Sequence, residues 1–183
     1  MVRVCVWGDS IAWGACDDEY GGWVNRLSLF SDMDVYNLGI SGDTSEHLLK
    51  RFDVECKARE PDVIVFAIGI NDSANINGKP WVPLDKFEEN IKELVRLARK
   101  YTTEVFFVGL TPVDEKLVKP VPWDTAISYD NETIKKYDLK LKEIAEQHIL
   151  IDVLSDQDLA DGLHPNARGH EKMFQQLKKY FKK

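Results

Sequence analysis

The chain has 183 residues, 44% of them hydrophobic, with 31 acidic against 24 basic side chains and a net charge of -7. That length suits one domain able to bury roughly 70% of its unfolded surface, and the apolar fraction excludes a disordered chain. The acidic balance, with no basic stripe interleaved with aromatics, argues against nucleic acid as a partner.

Residues 2–7 form a first short apolar run, broken at Gly8-Asp9 before a signal-peptide core can be built. A weak helical pattern over 20–30 leads to a second run at 35–38, and a further helix is expected over 44–56, opened by Asp43 with Glu46 in a capping-box arrangement. The third run, 63–68, extends apolar character to Ile70, far short of the ~20 residues a membrane span needs. Leu84, Phe87, Ile91, Leu94 and Ala98 then step by three and four, as an amphipathic helix does. A fourth run at 105–110 precedes a second helix carrying Ile134, Tyr137, Leu141 and Ile144, and a fifth run covers 149–153. A last helix follows Pro165, with Met173, Phe174, Leu177 and Phe181 on one face.

Runs apolar on both faces suit strands covered on both sides, the condition of a parallel sheet. The alternation predicts one three-layer α/β/α domain over residues 1–183, with ligands bound at the carboxyl ends of the strands. The loops 71–83 and 111–128 are the long connections there. Cys5, Cys16 and Cys56 are scattered, with neither disulfide-framework nor zinc-ligand spacing, and read as reduced bystanders. A cytoplasmic protein without a membrane span is expected.

The strand ends carry the chemistry. Gly8-Asp9-Ser10 follows the first run, Asn37-Leu38-Gly39-Ile40-Ser41-Gly42-Asp43 the second, and Gly69-Ile70-Asn71-Asp72 the third, while Asp161-Gly162-Leu163-His164-Pro165 opens the last helix. Acyl transfer needs a hydroxyl, a base, a group to orient that base and donors for the oxyanion, and these segments contain all four. Each has a plainer reading. Ser10 can cap a turn, Gly39 can permit one, Asn71-Asp72 is ordinary loop chemistry, and Asp161 can cap a helix. The proline after His164 disfavours helical dihedrals there and leaves the ring free to point elsewhere. His164 and His170 cannot face one metal ion on a continuous helix, since six residues turn through about 600° and leave them about 120° apart. His170 reads as a partly exposed helical residue, and His47 and His148 as structural.

In their order and at their strand ends, these four segments together resemble the sequence blocks of the SGNH (GDSL-type) esterase and lipase superfamily across nearly the whole chain. The resemblance implies a flavodoxin-like five-stranded sheet of order 2-1-3-4-5, with Ser10 as nucleophile, His164 as base and Asp161 orienting it. It also implies an oxyanion hole made by the N–H groups of Ser10 and Gly39 and the side-chain amide of Asn71. Strand order 2-1-3 brings those three within ~10 Å, and the residues after the fifth strand are long enough to carry His164 to Ser10. The implied activity is hydrolysis of carboxylic esters or thioesters of small acyl groups (an esterase, lipase or acylhydrolase), with no metal or organic cofactor. Ser41 is the rival nucleophile. Asp9 and Asp72 are candidates to order the oxyanion loops through backbone N–H bonds. Trp13, Trp81 and Trp123 either line the substrate pocket or anchor their loops. The alternative from another class is a non-catalytic flavodoxin-like or receiver-like binding module, although a receiver wants an aspartate where Asn71 stands.

Overall fold

The computed structural model describes residues 1–181; the last two residues of the expected 1–183 domain lie outside the described residues. In chain order the elements are β1 (Arg3–Gly8), α1 (Ser10–Trp13), α2 (Gly22–Leu29), β2 (Asp34–Gly39), α3 (Ser45–Arg59), β3 (Val63–Ala67), β4 (Asn75–Ile76) and β5 (Lys79–Pro80). There follow α4 (Leu84–Ala98), β6 (Val105–Val108), β7 (Ile127–Ser128), α5 (Asn131–Ile144), β8 (His148–Ile149) and α6 (Ala167–Leu177). Five parallel strands form the central sheet in the order β2-β1-β3-β6-β8, the order expected for strands 2-1-3-4-5.

Alternation along the strands explains the three layers. Trp7, Phe66 and Phe107 lie in register across β1, β3 and β6, and Phe52 of α3 packs on them, with ring centroids 4.8 Å from Trp7 and 5.3 Å from Phe66. Val6, Val65 and Phe106, one position earlier, point to the other face, where Phe181 meets Phe106 edge to face at 5.3 Å. Packing contacts join α3 to α4 and α4 to α5, and separately α2 to α6. Truncating the fully buried Phe52 to alanine would cost about 3–5 kcal/mol, because its ring is the knob that α3 places on the sheet.

The structure departs from the expected elements at three places. The cap of α3 is Thr44, whose N–H donates to His47 Nδ1 at 3.1 Å, whereas Asp43 turns away to accept from Arg51 Nε at 2.9 Å. The fifth strand stops at Ile149, whose carbonyl takes the Gly109 N–H at 2.8 Å just past the end of β6, while the Leu150 carbonyl accepts from Gln176 Nε2 at 2.8 Å. The two long loops are joined by a small antiparallel sheet, β5-β4-β7, in which Asn75 pairs with Ser128 and Ile76 with Ile127. Two-residue strands 51 positions apart leave no periodic signal in a sequence. Among the described residues no helix is long and apolar enough to cross a membrane.

Candidate active site

Asp9 accepts the Ile11 N–H at 2.9 Å and caps α1, which makes Ser10 the first residue of that helix. Ser10 Oγ lies 2.9 Å from His164 Nε2, and His164 Nδ1 lies 2.7 Å from Asp161 Oδ2. An ionised carboxylate only accepts, so Nδ1 carries the ring hydrogen and Nε2 is left to accept from the serine hydroxyl. Asp161 Oδ1 takes the N–H groups of His164 at 2.8 Å and Leu163 at 3.0 Å. Burial works to raise the Asp161 carboxyl, but the hydrogen bonds from the His164 side chain and backbone outweigh it and hold the group below the usual range.

The histidine is fastened from both sides. Asp158, buried just upstream, takes Arg168 Nε and Lys172 Nζ, each at 2.7 Å, and so ties this stretch to α6. Downstream of Asp161, the Gly162 carbonyl accepts from the Asp114 N–H at 2.8 Å. Gly162 has φ +88, and a Cβ there would lie 2.7 Å from Leu117 Cβ, so both its backbone conformation and its neighbour require glycine.

Asn71 is held at both ends of its amide. Its Nδ2 donates to the Asp43 carbonyl at 2.9 Å, and Tyr129 O–H donates to its Oδ1 at 3.0 Å. One Nδ2 hydrogen is left over. Tyr129 is buried and arrives from the loop that β7 stitches to β4, a role invisible to sequence reasoning because no motif marks it. Gly39, the expected backbone donor, has an N–H that donates to Asn37 Oδ1 at 3.0 Å. What Gly39 contributes is space, since a Cβ there would lie 2.4 Å from Trp13 N. Gly42, on the same turn and beside Asp43, has φ +82 and an N–H with no hydrogen-bond partner among the described residues. The glycine after Ser41 was the available signal for it.

Asp9 and Asp72 support the loops as expected from sequence. Asp72 accepts the Ser45 N–H at 3.0 Å and the Ser45 hydroxyl, and Asn90 Nδ2 donates to Ser45 Oγ at 2.9 Å. Burial pushes the Asp9 carboxyl up to about 7 and that of Asp72 to about 6. Ser41 is exposed and has no histidine partner among the described residues.

Of the three tryptophans, Trp123 adjoins the site, its ring centroid 5.8 Å from that of His164. Trp13 is exposed at the end of α1, and Trp81 is exposed beside the small sheet, its N–H donating to the Ala74 carbonyl at 2.8 Å. His148 bonds Asp138 Oδ1 at 2.9 Å, a structural role. His170 is fully buried instead of partly exposed. Its Nε2–H donates to the Ala15 carbonyl at 3.0 Å, its Nδ1 accepts from the Trp23 N–H at 3.3 Å, and burial lowers its pKa to about 4. Cys16 is not remote: its sulfur and one ligand atom each of Asp161 and His164 all lie within 4.8 Å of one another.

A three-layer α/β fold with a hydrogen-bonded serine, histidine and aspartate at the carboxyl ends of its strands is the architecture of a hydrolase. The chain belongs to the GDSL-like lipase/acylhydrolase family, whose model matches residues 6–172. It is 34% identical over 138 residues to a multidomain esterase of Ruminococcus flavefaciens, a match that covers 69% of this chain and 17% of that one. An uncharacterized lipoprotein of Bacillus subtilis, YqeF, is 30% identical over 96 residues, or 51% of this chain and 40% of its own length. These two relatives are thus much longer than the stretch they share with this chain. The isoamyl acetate-hydrolyzing esterase of Saccharomyces cerevisiae is 28% identical over 80% of this chain and 68% of its own. The crystal structure of the acetylxylan esterase Axe2 of Geobacillus stearothermophilus shares the fold, with a TM-score of 0.72 and 21% identity over 98% of this chain and 93% of the other.

Proposed function

We propose that this chain is a serine esterase that hydrolyses carboxylic esters or thioesters of small acyl groups, acetyl foremost. His164 Nε2 removes the Ser10 proton, and Oγ attacks the acyl carbon to give a tetrahedral oxyanion. Collapse expels the alcohol or thiol, which takes the proton back from His164, and leaves an acyl-Ser10 ester. Water activated by the same histidine releases the acid. The oxyanion is met by the Ser10 N–H, which as the first of its helix has no partner in the helical ladder, by the remaining Asn71 hydrogen, and by Gly42 N–H in place of Gly39.

One observation carries this reading: the continuous hydrogen-bonded chain from Ser10 through His164 to Asp161, at 2.9 and 2.7 Å. Three further points support it. Solved variants of Axe2 described as catalytic mutants replace a serine, an aspartate and a histidine, the last two three positions apart like Asp161 and His164. The yeast relative and Axe2 are both named for acetyl esters, which favours acetyl as the acyl group. Trp123 beside His164 offers an aromatic wall to the leaving group. A cytoplasmic setting belongs to the same proposal and rests on the sequence alone.

The test is a panel of p-nitrophenyl esters and acyl thioesters of graded chain length, run beside Ser10→Ala. The expected result is turnover that is greatest for acetyl and is abolished in the variant. Absence of turnover on every substrate, as a binding module would show, or turnover that survives Ser10→Ala, would overturn it.

A further inference from the structure

We propose that Cys16, Asp161 and His164 form a binding site for a thiophilic divalent cation, with Zn²⁺ the best match, and that filling this site switches the enzyme off. The three side chains supply a sulfur, a carboxylate oxygen and an imidazole nitrogen, a donor set suited to zinc and poorly suited to magnesium. Their ligand atoms lie within 4.8 Å of one another. Tetrahedral zinc with bonds of about 2.0–2.3 Å sets neighbouring donors roughly 3.3–3.8 Å apart, so side-chain adjustments of about an ångström close the site around an ion. Water completes the fourth position.

The loop presents Cys16 in a fixed place. Cys16 is exposed and in the left-handed region, φ +65, while the residues on either side of it are tied down. The Ala15 carbonyl accepts from buried His170, and the Ala15 N–H donates to the Ser10 carbonyl at 3.0 Å. Asp17, itself buried, takes the Gly22 N–H at 2.8 Å and pairs with buried Arg26. An ion arriving from solvent therefore meets a thiol on backbone that is already fixed, so that only side chains have to adjust.

Binding releases the Cys16 thiol proton to solvent and changes no oxidation state; where Nδ1 is the ligand, its hydrogen moves to Nε2. It inactivates whichever nitrogen is used: Nε2 is the atom that accepts from Ser10, and Nδ1 is the atom Asp161 holds. Inhibition rests on the esterase reading, whereas the site itself rests only on the geometry. Cys16 takes no part in the acyl-transfer steps, so Cys16→Ser leaves basal turnover unchanged.

Two measurements on chelator-treated full-length protein test this. Co²⁺ alone serves as the optical probe, read by its thiolate charge-transfer absorption, and Zn²⁺ is titrated against p-nitrophenyl acetate hydrolysis, with Mg²⁺ as control. Wild type is expected to bind one Co²⁺ with a thiolate band and to lose activity with Zn²⁺. Cys16→Ser is expected to lack the band and to need at least about ten-fold more Zn²⁺ for half inhibition, since removing a direct ligand costs no less than removing an outer-shell partner. Equal zinc sensitivity in the two proteins, repeated with Cys16→Ala, or a cobalt spectrum without a thiolate band, would overturn the proposal. A thiolate band in a protein that hydrolyses no ester would instead leave the site standing and refute the esterase reading.

Discussion

Ser10 follows the last residue of β1, Gly8, by two positions, whereas His164 follows the last residue of β8, Ile149, by fifteen. Ser10 and Asn71 inherit their places from the sheet, because β1 and β3 are hydrogen-bonded neighbours in register. His164 inherits nothing from its strand. It reaches Ser10 through irregular chain that needs its own fastenings, namely Asp158 to α6, Gly162 to the 111–128 loop, and the Asp161 carboxylate gathering the N–H groups around it. Part of this site is therefore stabilised by the core, and part by a local polar network that single substitutions can loosen.

The largest effect expected falls on the loop-borne half. Asp161→Asn presents a donor or the wrong tautomer to His164, and kcat should fall by up to ~10⁴ with the fold intact. Near-normal turnover would mean that the loop positions His164 without it. On the sheet-borne half, Asn71→Ala removes the proposed oxyanion donor and should lower kcat by roughly 10²–10³, with KM little changed. An effect confined to KM would move Asn71 from transition-state stabilisation to substrate binding.

Tyr129→Phe asks whether the two halves are truly separate, because this residue comes from the stitched loop yet holds the sheet-borne Asn71. Loss of that one hydrogen bond should cost about ten-fold in kcat at unchanged KM, and should cost much less in the Asn71→Ala background. Equal losses in both backgrounds would show that Tyr129 acts on stability and not through the amide.

The smallest effect expected is on the pH dependence of stability. Burial raises the Asp9 and Asp72 carboxyls to about 7 and about 6 from 3.8, so the folded protein keeps protons that the unfolded chain has already lost. Their contribution to stability is fully present below about pH 4 and is lost as pH rises through 6 and 7. Buried His170, lowered from 6.5 to about 4, works the other way as pH rises to about 6.5, so the test is the difference: urea midpoints of wild type should fall relative to those of Asp9→Asn between pH 5 and pH 8. Identical pH slopes would show that Asp9 is already ionised in the folded protein at pH 5.

What could be read in the sequence cuts across that division. The central strands announced themselves through apolar runs, and Ser10, Asn71, Asp161 and His164 through four blocks that together resemble those of the SGNH superfamily, the last of them on irregular chain far from its strand. The rest depends on contacts between distant segments of chain. Gly39 and Gly42 sit three positions apart in one turn, and which of them has a free N–H is decided by Asn37, whose side chain reaches Gly39. His170 looked like a surface residue of an amphipathic helix, yet α6 packs against α2, so its ring is buried and bonds Ala15 and Trp23. Cys16 carries no ligand spacing because its neighbours Asp161 and His164 are about 150 residues away in sequence, brought close only by the folded loop.

The convergence of Ser10 and His164 is tested most directly by covalent labelling with a fluorophosphonate, followed by peptide mass spectrometry of wild type and His164→Ala. Rapid, stoichiometric modification of the peptide containing Ser10, slowed by orders of magnitude in the variant, is the expected result. Modification at Ser41, or labelling of Ser10 at the same rate without the imidazole, would contradict it.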